Sequence, residues 1–376
     1  VNVLSSAITE SLILPLEEKY KYVEYSEDIS IAYKFFHDKI RQAAYSLLDE
    51  NAKAQTHYKI GKLLYKRFKD VKIDEEIFNI VGHFNIGINL LSRDEKYLLA
   101  TLNLQAGKKA KASGALKQAY YYLNIGLSLL SESDWNSHYD LILNLHTNKA
   151  EASYLCGIYN EMELLFKNIL KFAKTDLDQA GVWEVRNLAF QTKYKQHKVE
   201  AETINYLNKI GVSFPKKANY LSLMFNLLKT GLLLKKMDKS KILALPEVEN
   251  QEIKTAMRIM GVMVYPLYGS DPLLFSLMIL KLIRLTLNYG SAPISPLAFM
   301  MYGMILNAML GKIEEGYRFG QLGMNLLNKL NAKKHWAETS VCYNLGVRIW
   351  KEPFKNSTNG LIDDYKIALE TGDIEF

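Results

Sequence analysis

Residues 98–130, LLATLNLQAGKKAKASGALKQAYYYLNIGLSLL, decide the fold that this sequence predicts. Small residues recur in this stretch at the spacings of two helices joined by a tight turn. They are Ala106, Gly107, Ala110, Gly114, Ala119 and Gly126. Small side chains let two backbones approach closely, and glycine also suits the turn itself. We therefore predict a helical hairpin with Gly114 at its turn.

The tetratricopeptide repeat has the same offsets, with a small residue and a glycine in its first helix and an alanine and a bulky apolar residue in its second. One such unit cannot bury its apolar face alone, so neighbouring units must stack on it. The fold expected is all-α, a TPR-like α-solenoid of antiparallel helix pairs. Its expected function is to bind other protein segments and transmit a signal between them rather than to catalyse a reaction.

Composition supports a globular chain with a full-sized core. Of 376 residues, 49% are hydrophobic and 23% are charged, as in ordinary folded domains. The formal net charge of +7 is small for this length, and the lysines are spread along the chain. A nucleic-acid partner is not expected, because it would favour one clustered basic stripe.

The cysteines and the apolar stretches favour a cytoplasmic protein. Cys156 and Cys342 lie in apolar helical surroundings and are expected to be buried, reduced thiols. Residues 273–287 are interrupted by Lys281 and Arg284 and are fewer than the ~20 that a bilayer core requires. We expect a buried helix there and no membrane span. The chain begins at valine rather than methionine, so we expect it to be part of a longer protein.

Residues 1–50 predict a small winged-helix-like remnant. Residues 31–35 alternate with a period of two, which indicates a strand, and residues 20–25 are a candidate partner strand. Residues 8–16 fit either a helix or a strand. A helix is expected from Asp38 onward.

Residues 51–215 predict TPR-like helical repeats joined by short connections. Asp74 is a predicted N-cap, and Ser92 with Glu95 predicts a capping box at the start of the next helix. Two further helix pairs follow the hairpin. The first has its turn at Gly157, and the second has its turn near residues 196–197, with Ala201 in the small-residue position.

Residues 216–376 predict continuing helical repeats. Asp271 and Ser295 each precede a proline and are predicted N-caps, and Gly311 is expected at a turn. The next helix carries three glycines on one face, Gly316, Gly320 and Gly323. Each costs up to ~1 kcal/mol relative to alanine in a helix, and close backbone packing would offset that cost.

Motifs for chemistry are largely missing. The Gly-Lys pairs at Gly61 and Gly311 lack the first glycine and the hydroxyl of a phosphate-binding loop. We therefore expect no catalytic residue, cofactor or metal in this segment, and place any ATP elsewhere in a parent chain. The tyrosines at 120–122 fit a peptide groove or, more simply, a repeat core with an amphipathic rim. The cluster Lys235, Lys236, Lys239 and Lys241 is most simply a solvated face.

His37 and Asp38 form the sequence pair seen in metal-dependent phosphohydrolases. Such a site needs more histidines and carboxylates around the metal, and His57 and His83 fall on other predicted helices. A structural or interdomain role for His37 and Asp38 is the favoured interpretation, with a metal site as the alternative.

Several stretches, taken in order, resemble one family and cover nearly the whole chain. They are residues 35–48, 57–64, 80–91, 102–130, 135–145, 151–157, 285–303, 316–322 and 369–376. The family consists of large bacterial and fungal signalling proteins. In them a serine/threonine kinase-like domain precedes a predicted ATPase of the STAND class, then a helical TPR-like region, a GAF sensor domain and often a histidine kinase.

The resemblance implies that the start of the chain is the tail of the ATPase module and that the rest is the helical region before the GAF domain. Ile349 departs from the family, which tends to have histidine at that position. The family's kinase and ATP-binding residues have no counterpart here. The function expected is a non-catalytic regulatory segment that contacts proteins or sister domains, in an unknown oligomeric state. The alternatives are a self-contained peptide-binding adaptor and a free-standing helical enzyme.

Overall fold

The computed structural model describes residues 4–16, 32–191, 196–215 and 218–371. These residues are almost entirely helical, so the predicted all-α class is confirmed. Within them, sheet is limited to an antiparallel ribbon of β1 (Ile13–Pro15) and β2 (Tyr33–Phe35). The strand predicted at residues 20–25 lies outside the described residues.

The chain divides into two compact units, with the boundary between Asn148 and Lys149. The helices of the first unit are α1 (Ser5–Thr9), α2 (Asp38–Ser46), α3 (Glu50–Phe68), α4 (Ile73–Ile86), α5 (Arg93–Ala112), α6 (Leu116–Ser128) and α7 (Asp134–Ser137). The boundary falls inside the next helix, α8 (Tyr139–Leu155). The domain limits expected after residues 50 and 215 stay predictions.

The second unit continues the helical succession. Its helices are α9 (Tyr159–Phe172), α10 (Ala180–Gln191), α11 (Gln196–Lys209), α12 (Tyr220–Lys235), α13 (Lys239–Ala244), α14 (Gln251–Ser270), α15 (Pro272–Tyr289), α16 (Ser295–Leu310), α17 (Ile313–Leu330), α18 (Trp336–Cys342) and α19 (Phe354–Thr371). A π-helical stretch, Tyr343–Val347, follows α18 directly. Most consecutive helices are separated by only a few residues of sequence, and the core is formed by their apolar faces.

Helices α5 and α6 form the hairpin expected from residues 98–130. The capping box of Ser92 and Glu95 is present at the start of α5. Gly114 lies in the turn with a φ of +76°, which glycine adopts without steric cost. Gly107 packs against Leu123, where an added Cβ would lie 2.5 Å from the leucine Cγ. A Cβ on Gly126 of α6 would lie 3.3 Å from the carbonyl oxygen of Ala100 on α5. Small residues on both helices therefore close the hairpin.

Helices α16 and α17 come closer still. A Cβ on Gly303 would lie 2.6 Å from the carbonyl oxygen of Gly316, and a Cβ on Gly323 would lie 2.8 Å from that of Pro296. Gly320 instead faces Val347 in the π-helical stretch. The Cβ positions of Gly316 and Gly323 thus face α16, and the Cβ position of Gly320 faces a different neighbour.

Two of the predicted N-caps are wrong, because both residues lie inside their helices. The helix α4 begins at Ile73, so Asp74 lies in its first turn, where a carboxylate still interacts favourably with the helix dipole. Ser295 is the first residue of α16; its hydroxyl accepts from the backbone of Ala292 and so supports the preceding loop instead. The prediction for Asp271 is confirmed, since its carboxylate accepts from two amides of α15.

Ala201 is also wrongly assigned, because it is exposed on α11 and takes no part in packing. The buried face of this helix carries Thr203, Tyr206 and Leu207. Ala201 precedes Thr203 by two residues, which places it on the opposite side of the helix.

The helix α15 occupies the predicted buried stretch but is longer than expected. Among the described residues it is the helix that is long and apolar enough to cross a membrane by length and composition. Of its 18 residues, 56% are buried within the protein. The core helix of a globular domain passes the same test, and the absence of a membrane span stays a prediction.

Candidate functional site

The helix α12 carries an apolar face that nothing in the described chain covers. Asn219 and Ser222 form the capping box that starts the helix, and Leu223, Thr230 and Leu234 form its buried side. On the outer side, five apolar side chains are between 53% and 85% exposed: Leu221, Met224, Phe225, Leu228 and Leu232. We call these five residues the apolar ridge.

The spacing of the ridge is that of one helix face, at steps of three, one, three and four residues. It extends over about 16 Å of helix, at ~1.5 Å per residue. Isolated surface leucines are common, but a continuous exposed apolar strip marks an interaction surface. Folding of the described residues therefore does not account for the ridge.

A groove of about 1020 Å³ lies beside the ridge, between α12 and α13 on one side and α16 and α17 on the other. We call it the cationic groove. Leu306 and Leu322 are buried apolar residues of its lining, and Met224, Leu228 and Leu232 of the ridge line it as well. The groove and the ridge form one continuous surface within the second unit.

The rim of the groove is strongly positive. Its lining includes six cations, Lys235, Lys236, Lys239, Lys241, Lys312 and Arg318, but only two carboxylates, Asp238 and Glu315. Asp238 accepts from the Ser240 hydroxyl and the Lys241 amide at the start of α13, and these hydrogen bonds lower its pKa. Glu315 pairs with Lys312 at 3.4 Å. Both carboxylates are thus already engaged, and most of the positive charge is uncompensated.

Further positive charge lies behind α12. The Arg284 guanidinium donates to the buried hydroxyl of Thr230 at 2.9 Å. Burial lowers the pKa of Lys281, and the neighbouring Arg284 and Lys229 lower it further. Among the residues that the structure describes, no carboxylate pairs with Lys281 or Arg284. The field around α12 therefore attracts anions from both sides.

The structure brings together two histidines that the sequence separates. The Nδ1 atoms of His57 on α3 and His83 on α4 are 2.8 Å apart, and the Tyr45 hydroxyl is 3.1 Å from the His57 Nε2. At this distance one ring must donate a hydrogen bond and the other must accept it. If both rings were protonated, two N–H groups would face each other, which is unfavourable. Burial, and secondarily His57, lowers the pKa of His83.

We expect this pair to make the first unit less stable in mild acid. The pKa of His83 is lower in the folded than in the unfolded state, so the unfolded state takes up more protons as the pH falls through about 6.5. Stability is then full above that pH and decreases below it. Because the ring is only partly buried, the slope stays below the ~1.4 kcal/mol per pH unit of a whole proton.

Urea unfolding at pH 7.5 and 5.5 measures this effect. His83→Gln should reduce the loss of stability between the two pH values. His37→Asn is the matched control, since His37 is exposed and caps α2, and asparagine also caps well. An equal loss in the wild type and His83→Gln would contradict the role of the pair.

The other predicted site residues lie as follows. Ala106, Ala110 and Ala119 are buried in the α5–α6 hairpin, Gly126 packs against Leu145, and Gly157 and Gly311 lie in turns with positive φ. His37 accepts from the Lys39 amide, and Asp38 pairs with Arg41. Both side chains are exposed, and no group of three metal-ligating residues occurs in the part of the chain that the structure describes.

The cysteines are half-buried rather than fully buried. The Cys342 thiol lies 3.6 Å from the Tyr265 hydroxyl, and burial raises its pKa to about 11. It is therefore neutral at pH 7 and a poor nucleophile, because the thiolate is the reactive form.

The sequence predicts the four lysines at 235–241 as a solvated face and predicts no apolar groove beside them. The ridge has a sequence signal, since residues 220–234 are apolar on both faces of the helix. The apolar lining opposite the ridge has no such signal, because it comes from α16 and α17, far along the chain.

Comparison with known proteins gives a distant relative. The "Hybrid signal transduction histidine kinase G" of Dictyostelium discoideum is 28% identical over 345 residues, which cover 80% of this chain. The chain spans 10% of the length of that relative. No family model matches the chain, and no solved structure matches it. The relative supports a signal-transduction context.

Proposed function

We propose that this chain is a non-catalytic regulatory segment of a multidomain signalling protein and that it works through protein–protein or interdomain contacts. The observation that carries this proposal is the apolar ridge, an exposed strip that another protein segment would cover. The signalling relative supports the context, although the chain covers a small part of it.

In the finer form of the proposal, the segment is a TPR-like α-solenoid between a STAND-class ATPase and a GAF domain of a two-component kinase in the cytoplasm. ATP would then bind elsewhere in the parent protein. The packing of consecutive helices α3 with α4, α5 with α6 and α16 with α17 supports a repeat of helix pairs. The ribbon followed by α2 is compatible with a winged-helix remnant, in which His37 and Asp38 are candidate interdomain contacts.

Coupling would operate by a shift between arrangements in which the ridge is covered and uncovered. Such a shift needs contacts that differ between the two states, and the ridge supplies them if a sister domain packs on it in one state only. The glycine-closed helix pairs would act as the rigid frame. They are the hairpin of α5 and α6 and the pair of α16 and α17.

Cysteine labelling of the full-length protein tests whether the ridge is covered. Cys156 and Cys342 are first replaced by serine and alanine, and Leu228→Cys and Leu164→Cys are made separately. The two leucines are 65% and 59% exposed, so in the 376-residue chain alone both cysteines should react with a maleimide at similar rates. In the full-length protein the cysteine of Leu228→Cys should react at least tenfold more slowly than the cysteine of Leu164→Cys.

The outcomes separate the two functional candidates. Equal labelling rates in the full-length protein would contradict coverage by a sister domain. They would favour the peptide-binding adaptor, a function that the groove would also serve. Slow labelling at position 228, together with an altered phosphotransfer output in Leu228→Ser, would support the coupling role. If labelling at position 228 is slow but the phosphotransfer output of Leu228→Ser is unchanged, the ridge is a packing surface without a role in coupling.

A further inference from the structure

The cationic groove has the dimensions of a helix-binding site. The ridge side of the groove runs for about 16 Å, or three helical turns, at ~1.5 Å per residue. Its cavity of about 1020 Å³ has walls on two sides and an apolar lining that includes Leu306 and Leu322. Amphipathic helices bind in grooves of this kind, with apolar anchors at successive turns.

Charge defines the occupant further. The rim presents six cations against two carboxylates, and both carboxylates are engaged within the chain. A helix that entered this groove would meet uncompensated lysines along α12 and α13 on one wall and Arg318 of α17 on the other. Acidic side chains on both flanks of the entering helix would pair with them.

We propose that the cationic groove binds an amphipathic helix that has an apolar face and is flanked by aspartate or glutamate residues. This inference rests on the proposed function, in which another protein segment covers the ridge. It adds the secondary structure and the charge of that segment.

Two other occupants fit less well. A second copy of the chain would bring the same positive rim against itself in a twofold contact, and like charges across an interface are unfavourable. An anionic membrane would match the charge, but a flat bilayer surface cannot enter a groove that has walls on two sides.

The experiment uses three fluorescent 18-residue helical peptides that share one leucine face and differ on their flanks. The flanks carry glutamate, glutamine or lysine. By anisotropy, the glutamate peptide should bind the chain at least tenfold more tightly than the glutamine peptide, and the lysine peptide should not bind. Affinity for the glutamate peptide should fall with added salt, since salt screens exposed charges.

A charge swap in the protein gives a result that misfolding would not produce. Lys235→Glu with Arg318→Glu reverses one charge on each wall. This double variant should no longer bind the glutamate peptide and should bind the lysine peptide. Lys254→Glu with Lys355→Glu changes the net charge equally at exposed positions outside the groove lining, and it should bind as the wild type does. Leu228→Ser should weaken the binding of the glutamate peptide at least tenfold.

Several results would overturn the inference. One is binding that does not distinguish the three peptides, and another is a charge swap without a switch of preference. Binding to phosphatidylserine vesicles that the same double variant abolishes would assign the groove to a membrane. Self-association lost in Leu228→Ser would assign it to a second copy. If position 228 is protected in the full-length protein but no peptide binds, the proposed function stands and the acidic helix does not.

Discussion

Gly303→Ala is expected to lower the free energy of unfolding of the second unit by about 3 kcal/mol, at the upper end of ordinary overpacking costs. The added methyl would lie 2.6 Å from the carbonyl oxygen of Gly316 and 3.2 Å from the amide nitrogen of Gly320. Both atoms belong to the backbone of α17, so they cannot move aside as a flexible side chain would. The helices would have to separate, which would loosen the interface over much of its length.

Gly231→Ala is the matched control for this substitution. Gly231 also lies inside a helix, α12, but apart from its chain neighbours and the adjacent backbone of its own helix no atom lies within 4 Å of the position of its Cβ. Alanine there should raise stability by roughly 0.5–1 kcal/mol, which is the ordinary difference in helix propensity. Urea titrations followed by circular dichroism measure both variants. A similar response in the two would show that the backbones of α16 and α17 do not pack as closely as the 2.6 Å distance from the Gly303 Cβ position implies.

Asp134→Ala should destabilise the first unit by about 2–3 kcal/mol, because it leaves donors around a buried site without their acceptor. The Asp134 side chain is 2% exposed. It accepts from Arg93, from the Tyr97 hydroxyl and from the amide of Ser131, each at 2.7 Å. Arg93 is 50% exposed, so water partly compensates it, which keeps the loss below that of a fully buried pair.

The same cluster predicts an acid dependence. Burial alone would raise the pKa of Asp134, but hydrogen bonds from Ser131, Tyr97 and Arg93 outweigh it and lower the pKa. Stability from this carboxylate is present above the unfolded-state pKa of ~3.9 and is lost as the pH falls below it. Asp134→Ala should therefore lose less stability than the wild type between pH 5 and 3.

An exposed carboxylate serves as the comparison for Asp134→Ala. Asp70 is 79% exposed and lies 4.0 Å from Lys69, so Asp70→Ala should change stability by less than ~0.5 kcal/mol. Equal losses in the two variants would mean that the cluster around Asp134 contributes no more than an ordinary surface charge.

Local features of the fold could be predicted because their causes lie within a few residues. The Ser92–Glu95 capping box needs only positions three apart, and Asp271 caps α15 through the amides that follow it. The wrong N-caps have side chains suited to capping but lie inside their helices, since Ser295 is the first residue of α16 and Asp74 is the second residue of α4. In both helices the residue at the N-cap position makes no side-chain cap hydrogen bond.

The functional surface could be predicted only in part. The lysines at 235–241 stand out in the sequence, but the sequence alone indicates only a solvated face, because their neighbours from α16 and α17 are distant in the chain. His57 and His83 likewise fall on predicted helices with no spacing that links them, although their rings are in hydrogen-bond contact. Contacts of this kind depend on how helices pack, which spacing along one helix does not reveal.

The sequence by itself determined that this chain is all-α, with helix pairs closed by small residues such as Gly107 and turned at positions such as Gly114. Helix periodicity and glycine's freedom at positive φ act over a few residues, so the sequence states them directly. Only the tertiary structure decided that α12 keeps an apolar face uncovered and that a positive groove opens beside it. Burial is a property of the packed chain, since identical leucines face the core or the solvent according to what the neighbouring helices leave exposed.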